Sequence, residues 1–307
     1  MPMQGDILCC HCTLGEQGYT AINYANAMKE PYTTILAIAG SDPSAGAGLQ
    51  GDIKTAMVMG VYALTAVTAV TVQNSQNADA IVPVSADLLE QQIDALASDL
   101  TIDAVKIGML PTAESIEAVR HCIDRHKLRN IVVDPIASPT LASARCGSSS
   151  AFDTLKKCLL PIADIITPNV HEAEMLLGAT AGSRSATELA VLLCNEFGSR
   201  SALVKGGDCA GDSITDALYE ARSGCQMLFF SHSIVSANTH GTGCALSTAI
   251  ACGLARRRSL HQAAADAERT VHDLIRAGAN FAFGKGGYGP LGTLSNLTSN
   301  KTNNCIP

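Results

Sequence analysis

The segment Asn238-Thr239-His240-Gly241-Thr242-Gly243-Cys244 runs straight into a helical stretch of small and apolar residues. Glycines let a backbone approach an anion closely. The start of a helix adds unpaired N–H groups and the positive end of a dipole, a combination suited to a transferring phosphoryl group. A Gly-rich helix start with no chemical purpose carries the same pattern, so the segment alone does not decide. Asn169 and Glu172 stand three apart at a second helix start. That spacing reads first as a capping box. The same oxygens could hold Mg²⁺ beside phosphates, directly or through water, with Asp134 as a further carboxylate. Lys205, followed by Gly206, Gly207 and Asp208, either places a cation near those phosphates or marks a surface turn.

Two competing patterns fail on their surroundings. Gly46-Ala47-Gly48-Leu49-Gln50-Gly51 fits the dinucleotide-binding spacing G-x-G-x-x-G. However, five residues separate Gly40 from Gly46, and no Asp or Glu occurs from Ala66 to Gln76, where a ribose-binding acid should stand. Cys9, Cys10, His11 and Cys12 crowd together, yet no second ligand pair follows them at zinc-site spacing.

The elements that must position these residues are short β-branched runs alternating with amphipathic helical patterns, the signature of parallel strands joined by helical crossovers. Strands are predicted at Thr34 to Ala39, Tyr62 to Val72, Ala104 to Ile107, Asn130 to Val133, Asp164 to Ile166 and Ala202 to Val204. Leu49, Ile53, Ala56 and Met57 mark one helix face, and Leu89, Ile93, Leu96 and Leu100 a second. Thr112 caps a third helix carrying Ile116, Val119 and Ile123. Ser185 and Glu188 form a capping box before Leu189, Leu192, Leu193 and Phe197, with Gly198 as the stop. Residues 216 to 235 read as antiparallel strands around a turn at Ser223 and Gly224. Two helices close the pattern, one from Thr242 burying Leu246, Ala249, Ile250 and Gly253, the other carrying Ala264, Ala267, Val271, Leu274 and Ile275. Ligands of parallel sheets bind beyond the carboxyl ends of the strands. The residues just past those ends are Gly40, Gln73, Met109, Asp134, Asn169 and Lys205, which should converge on one cleft.

Composition bounds the rest. The chain has 307 residues, 47% of them hydrophobic and 16% charged, with net charge −7, and reads as globular. The basic run Arg256 to Arg258 suits the carbonyl end of a helix and does not point to nucleic acid. The most apolar stretches fall well below the roughly 18 residues of a membrane span. Twelve irregularly spaced cysteines without an apolar signal segment imply a reducing compartment. Residues 1–30 show no periodicity and are read as a poorly ordered leader, with Met28 a candidate alternative start. Residues 31–293 are read as one domain, and the Ser, Thr and Asn rich residues 294–307 as a loose tail.

From Thr33 to Leu294 the chain resembles the hydroxymethylpyrimidine and phosphomethylpyrimidine kinases of the ribokinase-like superfamily. The resemblance rests on Ala39-Gly40-Ser41-Asp42-Pro43-Ser44, Gln50-Gly51-Asp52-Ile53-Lys54-Thr55, Val72-Gln73-Asn74, Lys106-Ile107-Gly108-Met109-Leu110, Asp134-Pro135, Thr167-Pro168-Asn169, Lys205-Gly206-Gly207 and Asn238 to Cys244. It implies a three-layer α/β sandwich, a mostly parallel sheet covered by helices on both faces. It also implies ATP and Mg²⁺, a cytoplasmic homodimer, and a place in thiamine biosynthesis. Gln73 is expected to hydrogen-bond the pyrimidine, and Gly40, Asp52, Met109 and Ile136 to line its pocket. Gly241, Thr242 and Gly243 are expected to form the anion hole, with Asn169 and Thr242 near the nucleotide. Asn169, Glu172 and Asp134 are expected around Mg²⁺, and Lys205 at the phosphates. Cys244 stands where related sugar kinases carry an Asp base, which points to the pyrimidine and pyridoxal branch. A helix start lowers a thiol pKa, so a Cys244 thiolate is expected to take the substrate proton.

Three features depart from the family pattern. Ile136-Ala137-Ser138-Pro139 and Ala144-Arg145-Cys146-Gly147 replace the usual Ser-Gly-Asp type stretch, Ala45 stands where glycine is usual, and Gly51 where alanine is usual. The alternatives are a pyridoxal kinase, acting on a ring that also bears a hydroxymethyl group, and a silent relative that binds ligand without turnover.

Overall fold

A computed structural model describes residues 31–136, 149–182, 184–206, 213–286 and 288–294. The leader with its Cys9 to Cys12 cluster, Ala137 to Gly147, Gly207 and Asp208, and the tail beyond Leu294 lie outside the described residues.

Six parallel strands form the centre of the sheet. They are β1 (Thr34–Ser41), β2 (Tyr62–Gln73), β4 (Ala104–Ile107), β5 (Ile131–Val133), β6 (Ile165–Ile166) and β7 (Ser201–Val204). Antiparallel strands flank them, β3 (Ala78–Pro83) on β2, and the hairpin of β8 (Ser213–Glu220) and β9 (Cys225–His232) on β7. The strand order is β3-β2-β1-β4-β5-β6-β7-β8-β9.

Successive side chains of a strand point to opposite faces, so a sheet buried on both sides needs near-continuous apolar strands. β1 meets this requirement. Leu36 and Ile38 enter one core with β4 and β5 under α2 (Ala86–Asp99), α3 (Ala113–His126), α4 (Ser149–Cys158), α5 (Val170–Leu177) and α6 (Ala186–Phe197). Ile35 enters the other core, under α1 (Gly48–Val58), α7 (Thr242–Ala255) and α8 (Leu260–Gly278). The result is the expected three-layer sandwich.

The caps follow the predicted chemistry. Ser185 and Glu188 form a reciprocal box at α6, Thr112 one with Ser115 at α3, and Gly198 ends α6 in the left-handed region. Each such cap is worth about 1 kcal/mol.

Three expectations need correction. Ile53 and Met57 do not face the core: they are exposed, and α1 instead buries Leu49, Gly51, Asp52, Thr55 and Ala56. Asp52 is turned inward with the others, paired with Lys106 of β4. Leu100 lies past the end of α2 and is exposed. β3 and α4 were not predicted. β3 is short, half exposed and at the edge, and α4 is only ten residues long.

Candidate active site

The carboxyl ends of the parallel strands open onto a cleft of about 1240 Å³. Gly40, Gln73, Met109, Asp134, Asn169 and Lys205 all line it, as the strand-end rule requires. Ile136, Glu172, Gly241, Thr242, Gly243 and Cys244 line it as well.

At one end the wall is apolar. A Cβ on Gly40 would lie 2.2 Å from Met109 Cε, so the glycine is needed for the methionine to pack there. Opposite Gly40 the β1/β2 register shifts, and the Thr68 hydroxyl donates to the Met109 carbonyl at 2.7 Å. Such a bulge re-aims side chains at the rim of a sheet. Met109 packs with Ala69, Ile81 and Ile136, while Gln73 supplies an amide at the end of β2.

In the middle the glycine loop faces the cation. Gly241 has φ 89°, the left-handed region that glycine enters at little cost, and starts α7. The N–H groups of the first helical turn have no acceptor within the helix. A Cβ on Gly243 would lie 3.0 Å from Lys205 Nζ, so the loop and the ammonium are in direct contact. Lys205 Nζ donates to Asp134 Oδ1 at 3.2 Å, and the Thr167 hydroxyl donates to the same oxygen at 3.2 Å. Burial disfavours the ammonium, but Asp134 and Glu172 more than offset this and raise its pKa above the usual lysine value.

Asn169 and Glu172 form the capping box of α5, with Oδ1 of Asn169 accepting from Glu172 N at 2.7 Å and Oε2 of Glu172 accepting from Asn169 N at 2.9 Å. The bland reading of this spacing is therefore correct locally, and the same two side chains also line the cleft. The carboxylates of Asp134 and Glu172 flank Lys205, while no group of three or more His, Cys, Asp or Glu side chains among the described residues is placed to hold a metal. Few carboxylates beside a glycine-rich helix start suit Mg²⁺, which keeps water and phosphate ligands.

One expectation fails on geometry, and burial weighs against a second. Asp52 does not line the cleft: it has no exposed surface, and its two oxygens accept from Lys106 Nζ at 2.9 Å and from the Thr248 hydroxyl at 2.7 Å. Cys244 is 8% exposed, and burial pushes its thiol up to about 11 against the opposing pull of Lys106, with Asp52 and Asp134 adding to the rise. Desolvation outweighs the helix start, which favours the neutral thiol over a thiolate base.

Sequence reasoning also left residues of this site without a role. Asp42 and His240 face each other across the cleft floor at 3.1 Å, and both belong to quoted motifs, yet nothing in a linear reading joins them. Asp216 and Glu268 form a second carboxyl pair on the wall made by β8 and α8. No spacing rule links a strand residue to a helix residue that far along the chain.

A family model for phosphomethylpyrimidine kinase matches residues 42–292, most of the chain. The chain belongs to the phosphomethylpyrimidine kinase family. Its relatives include the hydroxymethylpyrimidine/phosphomethylpyrimidine kinase of Bacillus subtilis, 38% identical over 82% of this chain and 92% of that protein. The thiamine biosynthesis bifunctional protein ThiED of Geobacter sulfurreducens is 37% identical over 83% of this chain. The chain spans 52% of that protein's length, about half of it. Among solved structures, an ADP complex of Bacillus subtilis pyridoxal kinase superposes with TM-score 0.75 at 29% identity, covering 88% of this chain and all of that one. The fold of this family member is thus ribokinase-like, shared between pyrimidine and pyridoxal kinases.

Proposed function

We propose that this chain is an ATP-dependent kinase that phosphorylates the hydroxymethyl group of 4-amino-5-hydroxymethyl-2-methylpyrimidine, and then the monophosphate to the diphosphate, in thiamine biosynthesis. The observation that carries this reading is the order of groups along one cleft: an apolar wall with an amide at one end, then the glycine loop facing Lys205. The first suits a small heteroaromatic ring, the second a phosphoryl group in transit. Residues 31–293 are taken as the catalytic unit, acting as a cytoplasmic homodimer. Among the described residues no helix is long and apolar enough to cross a membrane.

In this scheme Gly40, Met109 and Ile136 hold the ring, and Gln73 orients it by hydrogen bonds. The substrate hydroxyl oxygen bonds to the γ-phosphorus of ATP in line as the bond from that phosphorus to the β,γ-bridging oxygen breaks; ADP leaves with that electron pair, and the hydroxyl proton passes to an oxygen of the transferred phosphoryl group. Gly241, Thr242 and Gly243 receive the transferring group on backbone N–H groups, and Lys205 neutralises charge on the phosphates. Asn169, Glu172 and Asp134 are the residues that would hold Mg²⁺, which supplies charge neutralisation at the phosphate oxygens. Phosphoryl transfer has a loose transition state, in which alignment and charge matter more than a strong base. A neutral Cys244 is compatible with that, as a small side chain packed beside the reacting oxygen.

A pyridoxal kinase is the second reading, favoured by the pyridoxal kinase likeness. Incubating the protein with Mg-ATP and either the pyrimidine or pyridoxal, and resolving products by phosphorus NMR, separates them. Pyrimidine monophosphate followed by diphosphate is the expected result. Pyridoxal phosphate alone would install the second reading, and ATP binding without product would leave a silent sensor.

A further inference from the structure

The carboxylate of Asp42 stands between the two halves of the cleft. It lies two residues beyond Gly40, on the loop from β1 to α1, and is 3% exposed. Oδ1 accepts from Ser44 N at 2.8 Å and from the Ser44 hydroxyl at 2.7 Å; Oδ2 accepts from Gly46 N at 3.1 Å and Ala47 N at 2.8 Å. The last partner of Oδ2 is His240 Nε2 at 3.1 Å, 198 residues away on the loop that enters α7. The Gln73 side chain, at the apolar end of the cleft, lies close enough to help hold this carboxyl in its charged form.

The two loops meet through backbone as well. A Cβ on Gly46 would lie 2.1 Å from the His240 ring, and a Cβ on Gly241 would lie 2.0 Å from the Gly46 carbonyl oxygen. The imidazole and Gly241 therefore rest directly on Gly46. His240 is fixed from behind by its backbone N–H, which donates to the Gly289 carbonyl at 3.1 Å, and by the edge of Tyr288 at 6.3 Å between ring centres. An ionised carboxylate only accepts, so Nε2 carries the proton. Burial works against the Asp42 charge, but the hydrogen bonds from His240, Ser44 and Ala47 hold its carboxyl well below the usual range.

We propose that Asp42 and His240 are a positioning pair that fixes the glycine loop relative to the substrate pocket, so that the acceptor hydroxyl and the phosphoryl group meet in line. The proposal rests on the kinase reading of the cleft. Neither side chain reacts. Each holds one loop against the other, and a misplacement of about 1 Å between reacting groups costs on the order of a hundredfold in rate.

The test is steady-state kinetics for both substrates on H240Q, H240N, D42N and the double variant D42N/H240N, with thermal melts of each. Gln reproduces the donor at Nε2; Asn reproduces only the other ring nitrogen. H240N and D42N should each lower kcat by about tenfold or more, with both KM values within about threefold. H240Q should recover most of kcat, and the double variant should be no slower than D42N. Multiplying losses, a loss confined to KM, or equal kcat for H240Q and H240N would overturn the pairing. Absence of product from the wild-type protein would instead overturn the kinase reading itself.

Discussion

Lys106 Nζ lies 2.9 Å from both carboxylate oxygens of Asp52, and neither side chain has any exposed surface. Burial disfavours the ammonium, yet the Asp52 carboxylate, with Asp134 beyond it, more than compensates and keeps Lys106 charged. The pair pins α1 to β4 directly beneath the cleft. Removing one partner of a buried ion pair strands the other charge, at a cost of about 3–5 kcal/mol. Lys106→Met and Asp52→Asn should each lose stability on that scale in urea denaturation. Lys106→Met combined with Asp52→Leu should recover a large part, and additive losses would contradict the pairing.

Cys244 carries a thiol pushed up to about 11. A neutral group does not titrate between pH 6.5 and 9, so kcat of the wild type and of Cys244→Ser should follow parallel pH profiles across that range. An acidic limb present only in the wild type would restore the thiolate base.

Glu268 has a carboxyl pushed up to about 9 from its ordinary 4.5, by burial first and then by the neighbouring Asp216, with Lys205 opposing. The folded state therefore holds a proton that the unfolded chain releases near 4.5. Its contribution to stability is fully present below about 4.5 and is lost as pH rises through about 9. Urea midpoints should fall across this window, and Glu268→Gln should flatten the slope. An unchanged slope in that variant would remove Glu268 as the source.

Ala45 adopts φ 58°, where a side chain is disfavoured by about 1–2 kcal/mol. Ala45→Gly relieves this but adds freedom to the unfolded chain, worth roughly 0.5–1 kcal/mol. The melting temperature should rise slightly, by no more than a few degrees. A fall would show that the methyl group makes a compensating contact.

The parallel strands were legible because a strand buried on both faces is mostly apolar, as β1, β4 and β7 are, with the charged Lys106 of β4 as the exception. The edge strand β3 was not, because a half-exposed strand has no such run. The inward face of α1 was misread for a sharper reason. Its buried residues include Asp52 and Thr55, which are polar, while Ile53 and Met57 face outward, so hydrophobic spacing pointed to the wrong side. The order of strand-end residues predicted which groups would share the cleft, since topology alone brings Gly40, Gln73, Met109, Asp134, Asn169 and Lys205 together. What pattern could not supply was the partner of each charge. Lys106 with Asp52, His240 with Asp42, and Glu268 with Asp216 are contacts between elements far apart in the chain, fixed only once the layers pack.

The sheet has two kinds of strand, and they bear on the cleft unequally. The apolar end of the cleft is built on β1, β2 and β4, each paired inside the sheet, whereas the wall carrying Asp216, Phe229 and Phe230 belongs to the terminal hairpin. Strands at an edge exchange their amide hydrogens through small local openings, central ones mainly through global unfolding. Amide exchange should therefore be fastest in β9 and slowest in β1 and β4. Such a gradient would let the hairpin breathe while the apolar end of the cleft keeps its shape.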